Sequence, residues 1–429
     1  MSRTDVAGAR RRVGWWRRRP VRRALVLTHR WTSLVLGLAL VVETTCGAIA
    51  LYHSEWFQAA NSWFYRHTTS AHPISAERAM AVVTAAHPGF AAAWVSYANG
   101  VYAIGDSTYT TAYGVDPGTG QINGLANLDG GLMGFIVNLH DCALTCQGYS
   151  GYLPALARPV PTLGLGWLAG VTWGGALLAL LGLLMVLLAI TGVITWWPGF
   201  RRMAHGFRVR TGKGRFARDY DLHNLIGIVA VPLVLMWGVT GAAFELPGVQ
   251  NAWLAITGGH SVDPDRYTFA ANPAPANASV VDLAEAESIA RQRVGGQVVY
   301  VTTPQGSGSA AYYSVSLATG DAPYRYRAFF GGDRTVYVDS HDASHVSVVD
   351  SVPQPAANTF YDRVFEPAHF GWMVNGWWRV CWFVFGLTPL ALGLTGLSTW
   401  LFRRKSRKRR KHRRNRTDRP APLSLVGAS

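Results

Sequence analysis

The chain has 429 residues, 49% of them hydrophobic and only 15% charged, with a formal net charge of +16. Charge this sparse is lean for a soluble protein and points to a membrane protein. The positive excess does not read as a nucleic-acid surface, because 29 of the 40 Lys and Arg residues lie in three segments: ten in 1–30, seven in 198–222 and twelve from 403 onward.

In chain order, four stretches are long and apolar enough to cross a hydrocarbon core about 30 Å thick as helices: 27–52, 171–197, 223–246 and 380–402. The three basic segments flank one side of these spans. Lys and Arg near span ends resist translocation, so both termini are predicted to be cytoplasmic. The predicted layout is a basic N-terminus (1–26), a span, an extracytoplasmic domain (53–170), a span, a basic loop (198–222), a span, a second extracytoplasmic domain (247–379), a span and a basic tail (403–429). The tail "RRKSRKRRKHRRNR" (403–416) reads as a stop-transfer signal, with anionic lipid headgroups as a second partner. The first span follows a basic segment and carries a cleavage-like "AIA" (48–50), but its apolar run exceeds the core of a signal peptide, so an uncleaved anchor is expected.

Each outside segment contains a helix-like stretch, at 74–89 and 281–296, followed by strand-like alternation. The first set of strands is expected over 93–106 and 111–122, with "DPGTG" as a turn. The second is expected over 297–304, 311–318, 324–330 and 334–340. The fold class read from this pattern is a membrane protein with four transmembrane α-helices in a duplicated two-span plan and two small α+β domains. Two echoes support duplication. His29 to Gly47 and His223 to Gly241 are both 18 residues, and "TGVITW" (191–196) returns as "TGLSTW" (395–400). The copies differ after His140, which lies 52 residues before Gly192 while His369 lies 27 before Gly396, so about 25 residues are inserted in the first half.

Four histidines occupy matched places: His29 and His223 where spans one and three begin, His140 and His369 ahead of spans two and four. The topology predicts two pairs, one near each membrane face. Ionisable groups at such depths are functional candidates. Zinc normally takes four ligands, and beyond Asp141 and Asp221 few partners stand nearby. Haem needs only two axial imidazoles and, so ligated, keeps no open position for oxygen, which favours electron transfer. Haem b, two copies, is the expected cofactor, with Arg30 and Arg379 as candidate partners for its propionates or, equally, as span-end anchors. Glu43, about 21 Å beyond His29 along a helix, is read as facing the aqueous boundary, with proton relay or a hydrogen bond across the bundle as the alternative. Of four cysteines, Cys46 and Cys381 lie in spans, while Cys142 and Cys146 are expected to form a disulfide in preference to a metal site with His140.

The stretches "LTHRW" (27–31), "NLHD" (138–141), "AITGVITWWP" (189–198), "DLHNLIGI" (221–228), "VTGAAFEL" (239–246), "AHFGW" (368–372) and "LTGLSTWLFRR" (394–404), taken in this order, resemble the PepSY-associated transmembrane family of bacteria. That family includes membrane-bound siderophore-iron reductases. The resemblance implies PepSY-like outside domains and two haems b, the inner held by His29 and His223 and the outer by His140 and His369, with His53 as the reserve outer ligand. Cys46 departs from the pattern, standing where the second half has Thr240. The function expected is a plasma-membrane oxidoreductase passing electrons to an outside acceptor such as a ferric siderophore. No G-x-G-x-x-G follows a predicted strand, so the donor is expected to be a quinol or a separate reductase. The alternative is a PepSY-type binding or regulatory protein that restrains a peptidase or senses envelope state without redox activity.

Overall fold

The computed structural model describes residues 19–262, 268–272, 280–305, 311–319, 331–349, 354–371 and 376–417. Its helices are α1 (Arg19–Ala50), α2 (His53–Ala60), α3 (Ala76–Ala86), α4 (Gly131–Cys142), α5 (Trp173–Trp196), α6 (Met203–Gly206), α7 (Arg215–Glu245), α8 (Pro247–Thr257), α9 (Leu283–Val294), α10 (Ala356–Phe360), α11 (Glu366–His369), α12 (Trp377–Gly386) and α13 (Thr388–Thr417). Among the described residues, α1, α5, α7 and the α12–α13 stretch are long and apolar enough to cross a membrane. Three of them extend beyond the predicted apolar runs. α1 starts at Arg19, α7 at Arg215, and α13 continues through the basic tail to Thr417. Arg and Lys are good helix formers and the backbone bonds do not depend on hydropathy, so helix ends and apolar ends need not coincide. His29 and His223 therefore lie well inside their helices.

The chain divides into two compact units. The first comprises residues 1–42, 184–235 and 387–429, and the second residues 43–183 and 236–386. The first is helical. Its polar side is fixed by Asp221, which accepts from Arg210 Nε and Nη2 (both 2.8 Å), and by Asp219, which accepts from Ser398 Oγ (2.5 Å) and pairs with Arg215 and Arg218.

The second unit holds eight strands: β1 (Trp94–Ala98), β2 (Val101–Gly105), β3 (Thr111–Val115), β4 (Ile122–Asn127), β5 (Gln297–Thr302), β6 (Tyr312–Ala318), β7 (Arg334–Asp339) and β8 (Val346–Val348). Two small α+β domains were the expectation; their strands join in one antiparallel sheet ordered β4-β3-β2-β1-β5-β6-β7-β8. The seam is β1 against β5, in register Trp94↔Thr302, Val95↔Val301 and Ser96↔Tyr300. Each four-strand half would otherwise leave its first strand as an unpaired edge, and joining the two edges satisfies both backbones. The expected strand over 324–330 lies outside the described residues.

α3 and α9 lie on one face of this sheet. Ser75 and Asp282 cap them, accepting from the amides of Arg78 (3.1 Å) and Glu285 (2.7 Å). Ala76, Ala79 and Val83 of one helix and Leu283, Ala286 and Ala290 of the other share a core with Val95, Val301, Val315 and Val336. Each fully buried valine there contributes about 1.5–3 kcal/mol, so the seam is held by side chains as well as by its ladder. On the opposite face Trp94 packs with Phe57, Phe64 and Tyr300. β1 is thus buried on both faces, as an interior strand must be.

Candidate functional site

In the first unit, His29 on α1 and His223 on α7 face each other with ring centroids 6.4 Å apart and planes at 88°. His29 Nδ1 lies 3.0 Å from Thr191 Oγ1 on α5. The Thr191 hydroxyl donates its own proton to the Leu187 carbonyl, 2.7 Å away. A hydroxyl has one proton, so towards His29 it accepts, and the imidazole proton sits on Nδ1. His223 is fixed likewise by two acceptors, the Leu392 carbonyl and Thr395 Oγ1, both at 3.1 Å, with Thr395 donating to Ala391. In both rings Nε2 is left as the nitrogen with a lone pair, the form a metal ligand needs.

In the second unit, His140 and His369 have ring centroids 6.1 Å apart and planes at 32°. His369, in α11, donates from Nδ1 to Thr240 Oγ1 at 2.6 Å, and Thr240 donates on to Met236 at 2.7 Å. Burial drives the His369 imidazole down to about 3, with His140 adding to the effect, so it is neutral near neutral pH. His140, two residues before the end of α4, has different partners: Nδ1 lies 2.8 Å from the Glu43 carboxylate and 3.0 Å from the Glu43 carbonyl, both on α1. Burial opposes charge on His140, but the Glu43 carboxylate outweighs it and holds the imidazole above its usual range. Glu43 is therefore turned towards His140 rather than the aqueous boundary expected for it.

A glycine follows each bracing threonine, and Gly47 stands at the matching place beside His140. A Cβ on Gly192, Gly396 or Gly241 would sit 3.5, 3.4 or 3.5 Å from Cε1 of His29, His223 or His369, in ordinary contact. On Gly47 it would run into the His140 ring, 2.6 Å from Nε2. Thr-Gly thus braces three histidines, and Cys46-Gly47 stands at the fourth, where Glu43 supplies the acceptor. Sequence reasoning used these dipeptides only as evidence of repetition and missed the bracing role of Thr191, Thr240 and Thr395, while a hydrogen bond from Glu43 across the bundle stood as the less favoured of two readings. The available signal was the Thr-Gly pair itself, present in each of the three matching stretches.

The remaining candidates are placed as follows. Arg30 Nε is buried with no hydrogen-bond partner among the described residues, and its guanidinium lies 5.3 Å over the Trp31 ring. Arg379 is engaged instead: it donates to the Glu55 carboxylate and the Leu51 carbonyl and lies 5.0 Å over Tyr52. His53 opens α2 and lines a recess with Trp56, Phe57 and Asn61. Cys142 and Cys146 are joined in a disulfide with Cα atoms 5.6 Å apart, so neither thiol is available to a metal. Among the described residues no three His, Cys, Asp or Glu side chains gather as a site for a bare metal ion.

No curated protein sequence matches this chain. The family profile described as the PepSY-associated TM region matches residues 26–403. The sheet, all four histidines and all of the helices except the first residues of α1 and the last of α13 fall inside that match, and the chain belongs to the PepSY-associated transmembrane family.

Proposed function

We propose that this membrane protein carries electrons through two haems b, one held by His29 and His223 and the other by His140 and His369. The observation that carries the reading is the matched geometry of the two pairs. Two metal–imidazole bonds of about 2 Å each, extended to the ring centres, place the rings roughly 6 Å apart, and both pairs lie at that separation. Each ring also points its proton at an oxygen through Nδ1, which favours Nε2 as the ligating nitrogen. The unpaired Nε of Arg30 suits a propionate; Arg379 already has a carboxylate.

Haem with two axial imidazoles supplies one-electron transfer and no open coordination position. The chain's own residues fix ring orientation, tautomer and the charge around each pair. Each half of the sequence contributes one histidine to each pair, and each histidine is braced from its own half. His29 leans on α5 and His140 on α1, while His223 leans on α13 and His369 on α7. That recurrence favours a duplicated two-span origin.

The Lys and Arg distribution favours a cytoplasmic side for 1–26, 198–222 and 403–429 at the plasma membrane, with the sheet outside. Electrons would then pass from a cytoplasmic or quinol donor to an outside acceptor, a ferric siderophore being the class that fits. Reduction to Fe(II) weakens hard-oxygen chelation and releases the metal. The test is a reduced-minus-oxidised absorption spectrum of protein purified from porphyrin-replete cells, with a haem-to-protein ratio near two expected. A colourless protein would leave the non-redox, regulatory reading in place of this one.

A further inference from the structure

The insertion between α4 and α5 ends in a hairpin whose apolar tip is exposed among the described residues. Residues 153–173, "LPALARPVPTLGLGWLAGVTW", carry one charged side chain, Arg158. Their two ends are stitched together and to the first turn of α5. Val160 N donates to the Val171 carbonyl (2.9 Å), Trp173 N to Arg158 (3.0 Å) and Gly174 N to Leu156 (3.0 Å). The hairpin therefore projects from the point where a membrane-crossing helix begins.

Its tip is built against the usual rules for a turn in water. Leu165 N closes a four-residue turn on the Thr162 carbonyl at 2.7 Å, with Leu163 at φ +49 and Gly164 at φ +79. Two successive left-handed residues form the kind of turn for which Asn-Gly is the ordinary choice. A leucine there strains its own backbone, and this one is also 84% exposed. Leu165 and Trp167 follow, 43% and 57% exposed, and Trp173 is exposed at the helix start. In water, the strain and the exposed apolar surface both count against this sequence. At a bilayer boundary the leucines find acyl chains and the tryptophans find the headgroup level where they concentrate.

We propose that the 158–173 hairpin is a membrane-interface anchor, its Leu163–Leu165 tip seated among lipid chains at the boundary where α5 starts. The anchor has a mechanical consequence. The Cys142–Cys146 disulfide closes the end of α4, and Leu153 N donates to the Leu144 carbonyl at 2.7 Å. The insertion thus links the helix that carries His140 to the lipid surface.

The test uses the full chain with Cys46 and Cys381 replaced by Ala, a single Leu163→Cys or Leu165→Cys labelled with NBD, and reconstitution into phosphatidylcholine vesicles. Thr84→Cys, exposed on α3, is the aqueous control. Brominated phosphatidylcholine is expected to quench the hairpin labels strongly and leave the control unchanged, while aqueous iodide quenches the control several-fold more. Hairpin labels quenched by iodide as the control is would overturn the proposal. So would labels shielded from iodide but indifferent to bromolipid, which would mean that protein, not lipid, covers the tip. The labels report independently of haem, so this outcome and that of the electron-transfer reading are separate.

Discussion

The two histidine pairs share a plan and differ in what braces them. In the first unit both rings give their Nδ1 proton to neutral oxygens, those of Thr191, Thr395 and Leu392. In the second, His369 does the same with Thr240, but His140 meets a carboxylate, Glu43. Two further acidic groups, Asp141 and Glu245, act electrostatically on the Glu43–His140 neighbourhood. The acids of the first unit among the described residues, Asp219 and Asp221, are instead occupied by arginines. One geometry can thus hold two electrostatically different centres, because ring separation and ring charge are set by different atoms.

The coarsest way to break the comparison is to remove one member of each pair. On the proposed two-haem reading, His223→Ala should abolish the centre of the first unit and His369→Ala that of the second, each removing about half the haem absorbance, with the other centre retained. Loss of both centres from either substitution would mean that the pairs do not act independently.

The glycines separate the pairs next. Gly47→Ala places a methyl group 2.6 Å from His140 Nε2, and the ring could retreat only by giving up its contacts with Glu43 on the same helix. The expected result is loss of the second-unit centre. Gly192→Ala brings its methyl only to 3.5 Å from His29 and removes a glycine from a helix interior, so it should be neutral or stabilising by about 0.5–1 kcal/mol. Haem content after purification reads both.

Glu43→Gln keeps an oxygen facing Nδ1 and removes the charge. A carboxylate acceptor makes the opposite nitrogen a stronger donor and favours the oxidised iron, so the amide should raise the midpoint potential of the second-unit centre. A tenfold change in the reduction equilibrium, about 59 mV for one electron, is the scale expected. Potentiometric titration in the His223→Ala background isolates that centre. An unmoved potential would show that Glu43 positions the ring without tuning it.

Much of this arrangement was legible in the sequence. The apolar runs marked the four spans, the 18-residue spacing aligned His29 with His223, and Cys142 and Cys146 announced their bond. What was hidden depended on contacts distant along the chain. Edge strands and interior strands share one alternation, so nothing in "WVSYA" said that it would pair with "QVVYVT" 203 residues later. The residues around His140 carried no helix signal strong enough to place that imidazole on α4, and so its partner Glu43, 97 residues earlier, could not be assigned. Three helices run past the predicted spans because hydropathy marks where lipid begins and not where backbone hydrogen bonding stops.

The smallest expected effect concerns redundancy among the neutral braces. His369 Nδ1 meets one acceptor, Thr240 Oγ1, whereas His223 Nδ1 meets both Thr395 Oγ1 and the Leu392 carbonyl. Thr240→Val leaves a deeply buried N–H without an acceptor, at a cost of about 1–3 kcal/mol. Thr395→Val removes one of two acceptors and should cost no more than about 1 kcal/mol, since the carbonyl still takes the proton. The midpoint temperature for loss of haem absorbance should therefore fall further for Thr240→Val than for Thr395→Val. The reverse order would mean that the Leu392 carbonyl contributes little, and that the threonine hydroxyl is what orients each imidazole.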